Sequence, residues 1–141
     1  MEVYRLKDND LFETKFEDIN RDDDRYWIIA APEEIYENNV FFKFHNSTVE
    51  ECLSFGQNPR LEVYDEFSFG VINMMDKDAS SLGEFRLTAK EMDFYITPKY
   101  LILVATLPNK LIGDVKKEIL ENADASNNYV VNLSKILYIL L

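Results

Sequence analysis

Cysteine is nearly absent. Cys52 is the only one in 141 residues, so no intrachain disulfide can form and a reducing compartment is expected. Histidine is equally scarce, and His45 with Cys52 cannot supply the four soft ligands of a zinc centre. The four glycines, Gly56, Gly70, Gly83 and Gly113, fit neither G-x-G-x-x-G nor G-x-x-x-x-G-K, which argues against a nucleotide phosphate loop. No apolar run exceeds six residues, whereas a membrane helix needs about 20. This stretch is therefore not expected to cross a bilayer itself. Positive charge is also in deficit: 15 basic against 26 acidic side chains leave a net charge of -11. That balance argues against nucleic acid or an anionic membrane surface as the main partner, because both call for basic patches. Residues 1–10 are polar and lack an apolar h-region, so no secretion signal is expected there.

What is present describes a folded domain. Hydrophobic residues make up 47% and charged residues 29%, a globular composition at a length sufficient for one core. Glu2 to Leu6 reads as a short edge strand, and 17–25, with Asp22-Asp23-Asp24, as a loop. Tyr26-Trp27-Ile28-Ile29-Ala30-Ala31 is continuously apolar and ends at Pro32, the pattern of a buried strand feeding a helix. Ser47-Thr48-Val49-Glu50 has the form of a capping box and predicts a short helix to about residue 55. Val49, Cys52 and Leu53 share one face of it, with Glu51 nearly opposite. Gly56 and Asn58-Pro59 end it. Leu61, Val63, Phe67, Phe69 and Val71 alternate, predicting one long strand over 60–75 with a bulge near Asp65-Glu66. After a turn region at 76–83, strands are predicted at 91–97 and 100–107, joined at Pro98-Lys99. Pro108 opens a helix with a stripe of Leu111, Ile112, Val115, Ile119 and Leu120. Residues 123–128 read as a loop and 129–141 as a last, increasingly apolar helix. The fold class is α/β: an α/β/α sandwich with a mixed central sheet.

Candidate chemistry is sparse. His45 and Cys52 lie near one short helix, but no C-G-S-C-W or G-x-S-x-G signature surrounds them, and a packed cysteine with a capping histidine accounts for both. The chain is read as a non-enzyme. Asp22-Asp23-Asp24 and Asp76-Lys77-Asp78 are the densest acidic clusters. Neither is followed by the Gly and distal Glu of a calcium loop, and solvated loop charges explain them. The chain's last seven residues, Lys135 to Leu141, close on two leucines with no cap. Either that helix docks on the core or a longer helix continues.

Three segments resemble the cytoplasmic domain of the CorA magnesium and cobalt transporters. The first is Phe44-His45-Asn46-Ser47-Thr48-Val49-Glu50-Glu51-Cys52-Leu53, followed by Asn58-Pro59-Arg60-Leu61-Glu62-Val63-Tyr64-Asp65-Glu66-Phe67. It is similar to the family's apolar residue and His, short helix ending Glu-Asp-x-Leu, then Arg-Pro-Lys-x-Glu and an aromatic strand. The second is the hairpin from Glu91 to Val104, and the third the helix with Val115 and Ile119 followed by the apolar helix from Tyr129. Asn46-Ser47 and Glu50-Glu51 depart from the family's His-Pro-x and Glu-Asp. Its Gly-Met-Asn tripeptide, which belongs to the membrane part, does not occur in these residues.

The resemblance implies a regulatory domain at the cytoplasmic face of the cell membrane in a divalent-cation (Mg2+/Co2+) transporter. Residues 1–125 would be the α/β domain, and 126–141 the start of the helical segment leading to stalk and membrane helices. It also implies a homopentamer in which regulatory Mg2+ between subunits holds the funnel closed. Glu51 matches the carboxylate that meets acids on the neighbour's stalk helix. Without stalk and membrane helices, these residues alone are expected to be a monomer or weak dimer. The membrane would be reached only through the C-terminal part. The alternative is a generic α/β protein-interaction module without metal sensing. Sequencing the rest of the gene discriminates: a long charged helix and two apolar stretches of about 20 residues, with Gly-Met-Asn after the first, are expected, and a stop codon after Leu141 would defeat the transporter reading.

Overall fold

A computed structural model describes residues 1–7, 10–19, 24–54, 56–79, 85–106, 112–114 and 116–117. The strands are β1 (Glu2–Lys7), β2 (Asp10–Thr14), β3 (Arg25–Ala30), β4 (Arg60–Val63), β5 (Ser68–Ala79), β6 (Phe85–Ile96) and β7 (Tyr100–Val104). Three short helices, α1 (Pro32–Glu37), α2 (Asn39–Phe42) and α3 (Asn46–Cys52), lie between β3 and β4. Among the described residues these seven strands form one sheet in the order β2-β1-β3-β7-β6-β5-β4. Only β3 and β7 are parallel, with Tyr26 opposite Tyr100 and Ala30 opposite Val104. The other pairs are antiparallel.

Alternation along the strands divides the core in two. Tyr26, Ile28, Ala30, Phe69, Val71, Tyr95, Ile102 and Val104 pack with Ile35, Phe44, Val49 and Cys52 of the helical segment. Trp27, Ile29, Met92, Phe94, Leu101 and Leu103 face the other way and pack with Ile112, in the helical residues 112–114 and 116–117. Helices therefore cover both faces of a mixed sheet, the sandwich expected from the apolar runs. Pro32 occupies the first turn of α1, and the Glu34 carboxylate accepts the Ala31 backbone N–H at 3.0 Å, satisfying one otherwise orphaned donor.

Several expectations are corrected. The first strand is not an edge: β1 lies between β2 and β3, because Asp10–Thr14 turns back onto it. The predicted 60–75 strand is a hairpin. Tyr64 donates its backbone N–H to the Phe67 carbonyl at 2.8 Å and the chain reverses there. The reversal shifts the phase, so Arg60 pairs with Val71 and Leu61 with Gly70. Leu61 and Val63 consequently fall on the face away from α3 and are 62% and 77% exposed. Residues 76–79, expected to open a turn, belong instead to β5, which runs to Ala79. The capping box is displaced as well. His45 is the N-cap of α3, and Ser47 lies inside the helix. Of the predicted 108–120 helix, 112–114 and 116–117 are helical, while its start at Pro108, its other stripe residues, the 123–128 loop, the 129–141 helix and the 125/126 boundary lie outside the described residues.

Gly70 is the one position where β5 needs a missing side chain. The Phe94 ring of β6 lies across it, where a Cβ would overlap the ring carbons. Phe94 is 93% buried and cannot swing away (it is 7% exposed). Gly70→Ala should cost about 1–3 kcal/mol by overpacking, read as a fall in the urea or thermal midpoint. The same substitution should cost less in a Phe94→Leu background, and an equal cost in both would place the strain elsewhere.

Candidate functional site

The polar residues that the fold gathers lie at the C-terminal end of α3. Asn39 sets the helix's entry: its side chain accepts the Phe44 N–H at 2.9 Å and donates to the Phe44 carbonyl at 3.1 Å. Lys43 takes the left-handed conformation, φ 58, that turns α2 into this segment. Phe44 then stacks on Tyr95, with centroids 3.9 Å apart and planes within 7°. The inner face of α3 carries Thr48, Val49 and Cys52, all buried. Thr48 donates its hydroxyl to the His45 carbonyl at 2.8 Å and accepts that of Tyr95 at 3.1 Å, so a buried polar group is satisfied on both sides.

Glu51 is half-buried at the rim of this helix, and the Arg60 guanidinium of β4 pairs with its carboxylate. Arg60 also donates Nε to Glu62 Oε1 at 2.7 Å and Nη1 to Gln57 Oε1 at 2.7 Å, and lies 5.8 Å from the Phe69 ring centroid. Gln57 in turn donates to the Glu51 carbonyl at 2.8 Å. The Tyr64 hydroxyl donates to Glu62 at 2.7 Å, and together with Arg60 it holds the Glu62 carboxyl below its usual range. The Glu62 hydrogen bond, with Glu51 nearby, raises Arg60 further above its already high value. His45 stacks on Tyr64 at 5.6 Å and places Nδ1 2.8 Å from Ser47 Oγ.

Beneath this rim is a second carboxylate pair. Asp93 of β6 is 4% exposed, and its Oδ1 has no hydrogen-bond partner among the described residues; neither does the buried Oε1 of Glu91. Burial pushes the Asp93 carboxyl up to about 7, with the Glu91 charge adding to the effect. Burial likewise pushes the Cys52 thiol up, well away from the thiolate that nucleophilic chemistry requires. Cys52 Sγ lies 3.5 Å from the Tyr95 hydroxyl. His45 stands at the opposite end of α3, about 10 Å away along the axis at the usual helical rise. The two do not meet.

Sequence reasoning selected Glu51 and passed over Arg60, Glu91 and Asp93. A signal for the last two was available. Glu91 and Asp93 interrupt a strand next to the wholly apolar Tyr100–Val104, so acids there are forced inward. Among the described residues no three His, Cys, Asp or Glu side chains converge as a metal cage. Glu51 offers one carboxylate, already paired, so it fits a divalent cation only as part of a site completed from elsewhere. Asp24 is engaged with Arg5 at 2.6 Å, and Asp22, Asp23 and the Asp76 and Asp78 side chains lie outside what is described.

Asp93 predicts a pH dependence of known sign. Its folded-state value, about 7, stands above the ordinary 3.8, so the folded protein binds the extra proton in between. Stability from this group is present below pH 4 and lost as pH rises through 7. Asp93→Asn should therefore stabilise the protein at pH 8 by about 1–3 kcal/mol, with the gain vanishing near pH 4–5. Denaturant melts of both proteins across that range test it, and a pH-independent difference would contradict the buried charge.

The family model described as CorA-like Mg2+ transporter protein matches residues 27–141. YfjQ of Bacillus subtilis (strain 168), whose name describes a metal ion transporter, is 26% identical over 102 residues, 70% of this chain and 30% of YfjQ. The complete CorA magnesium transporter of Methanocaldococcus jannaschii superposes with a TM-score of 0.63 at 20% identity, covering 98% of this chain and 42% of that one. The ZntB cytoplasmic domain of Vibrio parahaemolyticus gives 0.64 at 13%, covering 86% and 49%. At these identities the two structures are alike in fold. The chain spans less than half the length of each relative. The family match runs from Trp27 in β3 through the whole helical segment and the sheet beyond it: the chain belongs to the CorA-like Mg2+ transporter family.

Proposed function

We propose that this chain is the cytoplasmic regulatory domain of a CorA-like divalent-cation transporter, and that it biases pore gating through Glu51. The family match over residues 27–141 is the observation that carries the reading. Glu51 supports it in detail, being a half-exposed acid on a short helix whose opposite face is locked into the core by Thr48, Val49 and Cys52. A carboxylate on so fixed a support can report contact with a neighbouring subunit without disturbing its own fold. Mg2+ bound there would supply positive charge between Glu51 and acids of the adjacent subunit in a homopentamer. When the ion leaves, the carboxylates repel and a splayed, conducting arrangement is favoured. The domain itself performs no catalysis, in keeping with the raised Cys52 thiol and the engagement of His45 with Ser47. Mg2+ and Co2+ are the ions this reading assigns, and the protein sits at the cytoplasmic face of the cell membrane.

Ion flux into vesicles at rising internal Mg2+ tests the role of Glu51. In the full-length protein, Glu51→Ala should weaken closure by Mg2+. Its effect on stability should stay within about 1 kcal/mol, as for a rim ion pair. Equal inhibition of wild type and variant would remove Glu51 from the sensor and leave an interaction module. The chain alone should be a monomer or weak dimer by light scattering, and calorimetry should find no saturable Mg2+ site on it. A stable pentamer of the chain alone would show that stalk helices are not what assembles it.

A further inference from the structure

Arg60 is not a passive neighbour of Glu51. Its guanidinium is fixed by three acceptors, Glu51, Glu62 and Gln57, and by the Phe69 face beneath it. Each of the other supports is itself held. Glu62 receives the Tyr64 hydroxyl, Tyr64 stacks on Phe67 at 4.7 Å, and Gln57 is tied back to the Glu51 carbonyl. The register of β4 against β5 puts Arg60 beside Val71, on the same face as α3, so the backbone also directs the side chain toward Glu51.

We propose that Arg60 is an internal competitor for Glu51: its guanidinium occupies the carboxylate that the divalent-cation site requires and sets the ion concentration at which that carboxylate becomes available. The proposal rests on the reading of Glu51 as a gating acid. Two physical effects act together. A cation arriving at Glu51 must first separate an ion pair. When it has done so, Arg60 stays in place on Glu62 and Gln57, and its fixed positive charge opposes the newcomer. An isolated rim pair contributes little, but a guanidinium held in a network keeps its position when one partner is lost. The affinity of the site is thereby lowered, as a sensor requires if it is to release its ion when the concentration falls. Arg60 is a positioning residue in this scheme, since it acts only through Glu51.

The test uses the full-length protein in vesicles, with Mg2+ as the probe and the half-inhibiting internal concentration as readout. Arg60→Gln, which removes the charge, should lower that concentration by about threefold to tenfold. Arg60→Lys keeps the charge without the fork and should remain within about twofold of wild type. In a Glu51→Ala background, Arg60→Gln should produce no further shift, which a merely structural role for Arg60 would not predict. Arg60→Met, which keeps the stem over Phe69, serves as a second variant if Arg60→Gln does not fold, with the same expected direction. An unchanged or raised half-inhibiting concentration in the charge-removing variants, with Glu51→Ala clearly shifted, would overturn the competitor role alone. Wild-type inhibition in Glu51→Ala would overturn the gating acid and the competitor together, so the two failures look different.

Discussion

The parallel pairing of β3 with β7 is the constraint on which the rest depends. Parallel neighbours cannot be joined by a tight turn, so the chain must leave the sheet and return. Everything between Ala30 and Tyr100 is that excursion: three helices, then the β4–β5–β6 meander that widens the sheet on β7's far side. The seam is closed at both ends by backbone bonds, Tyr26 N–H to the Lys99 carbonyl at 2.8 Å and Ala105 N–H to the Ala30 carbonyl at 3.1 Å. Because β3 and β7 are central, both of their faces must be dry. That demand explains their unbroken apolar runs and brings helices to both sides.

The position of α3 follows from the same demand. Its inner face must cover Tyr95 and Val71, and it does so with Thr48, Val49 and Cys52. Polar atoms enter this layer in pairs where they can, as Thr48 and Tyr95 do. Asp93 and Glu91 are exceptions, each with an orphaned buried oxygen, and burial favours Asp93 in its protonated form. Above them, where α3 reaches solvent, charge is handled differently. Arg60 collects Glu51 and Glu62 into one network, with exposure enough for the pair to exchange partners. One helix thus separates a layer where charge is suppressed from a rim where it is available.

Much of the architecture was legible in the residues. The runs 26–31 and 100–105 announced the two central strands, Pro32 the start of α1, and Pro98-Lys99 the turn between β6 and β7, where Thr97 N–H meets the Tyr100 carbonyl at 2.9 Å. Hydrophobic period and breaker residues act locally, so a window of a few residues suffices to read them. β2 escaped notice because its short segment, with Phe12 half exposed, becomes a strand only by pairing with β1. The 60–75 alternation misled because a four-residue turn reverses phase without interrupting the pattern. Glu51 was picked out by helical spacing and family likeness, both properties of linear sequence.

What the sequence by itself determined is therefore the class of fold, its central strands, the short helix and the acid on its rim, because each depends on neighbours within a few positions. The tertiary structure alone decided strand order, the phase of β4, the burial of Asp93 and the pairing of Arg60 with Glu51. Those depend on which distant strands become neighbours. A charge's partner, and the dielectric around it, are set by residues far away in the chain, nine positions on for Glu51 and Arg60 and more than forty between Asp93 and the helix that covers it.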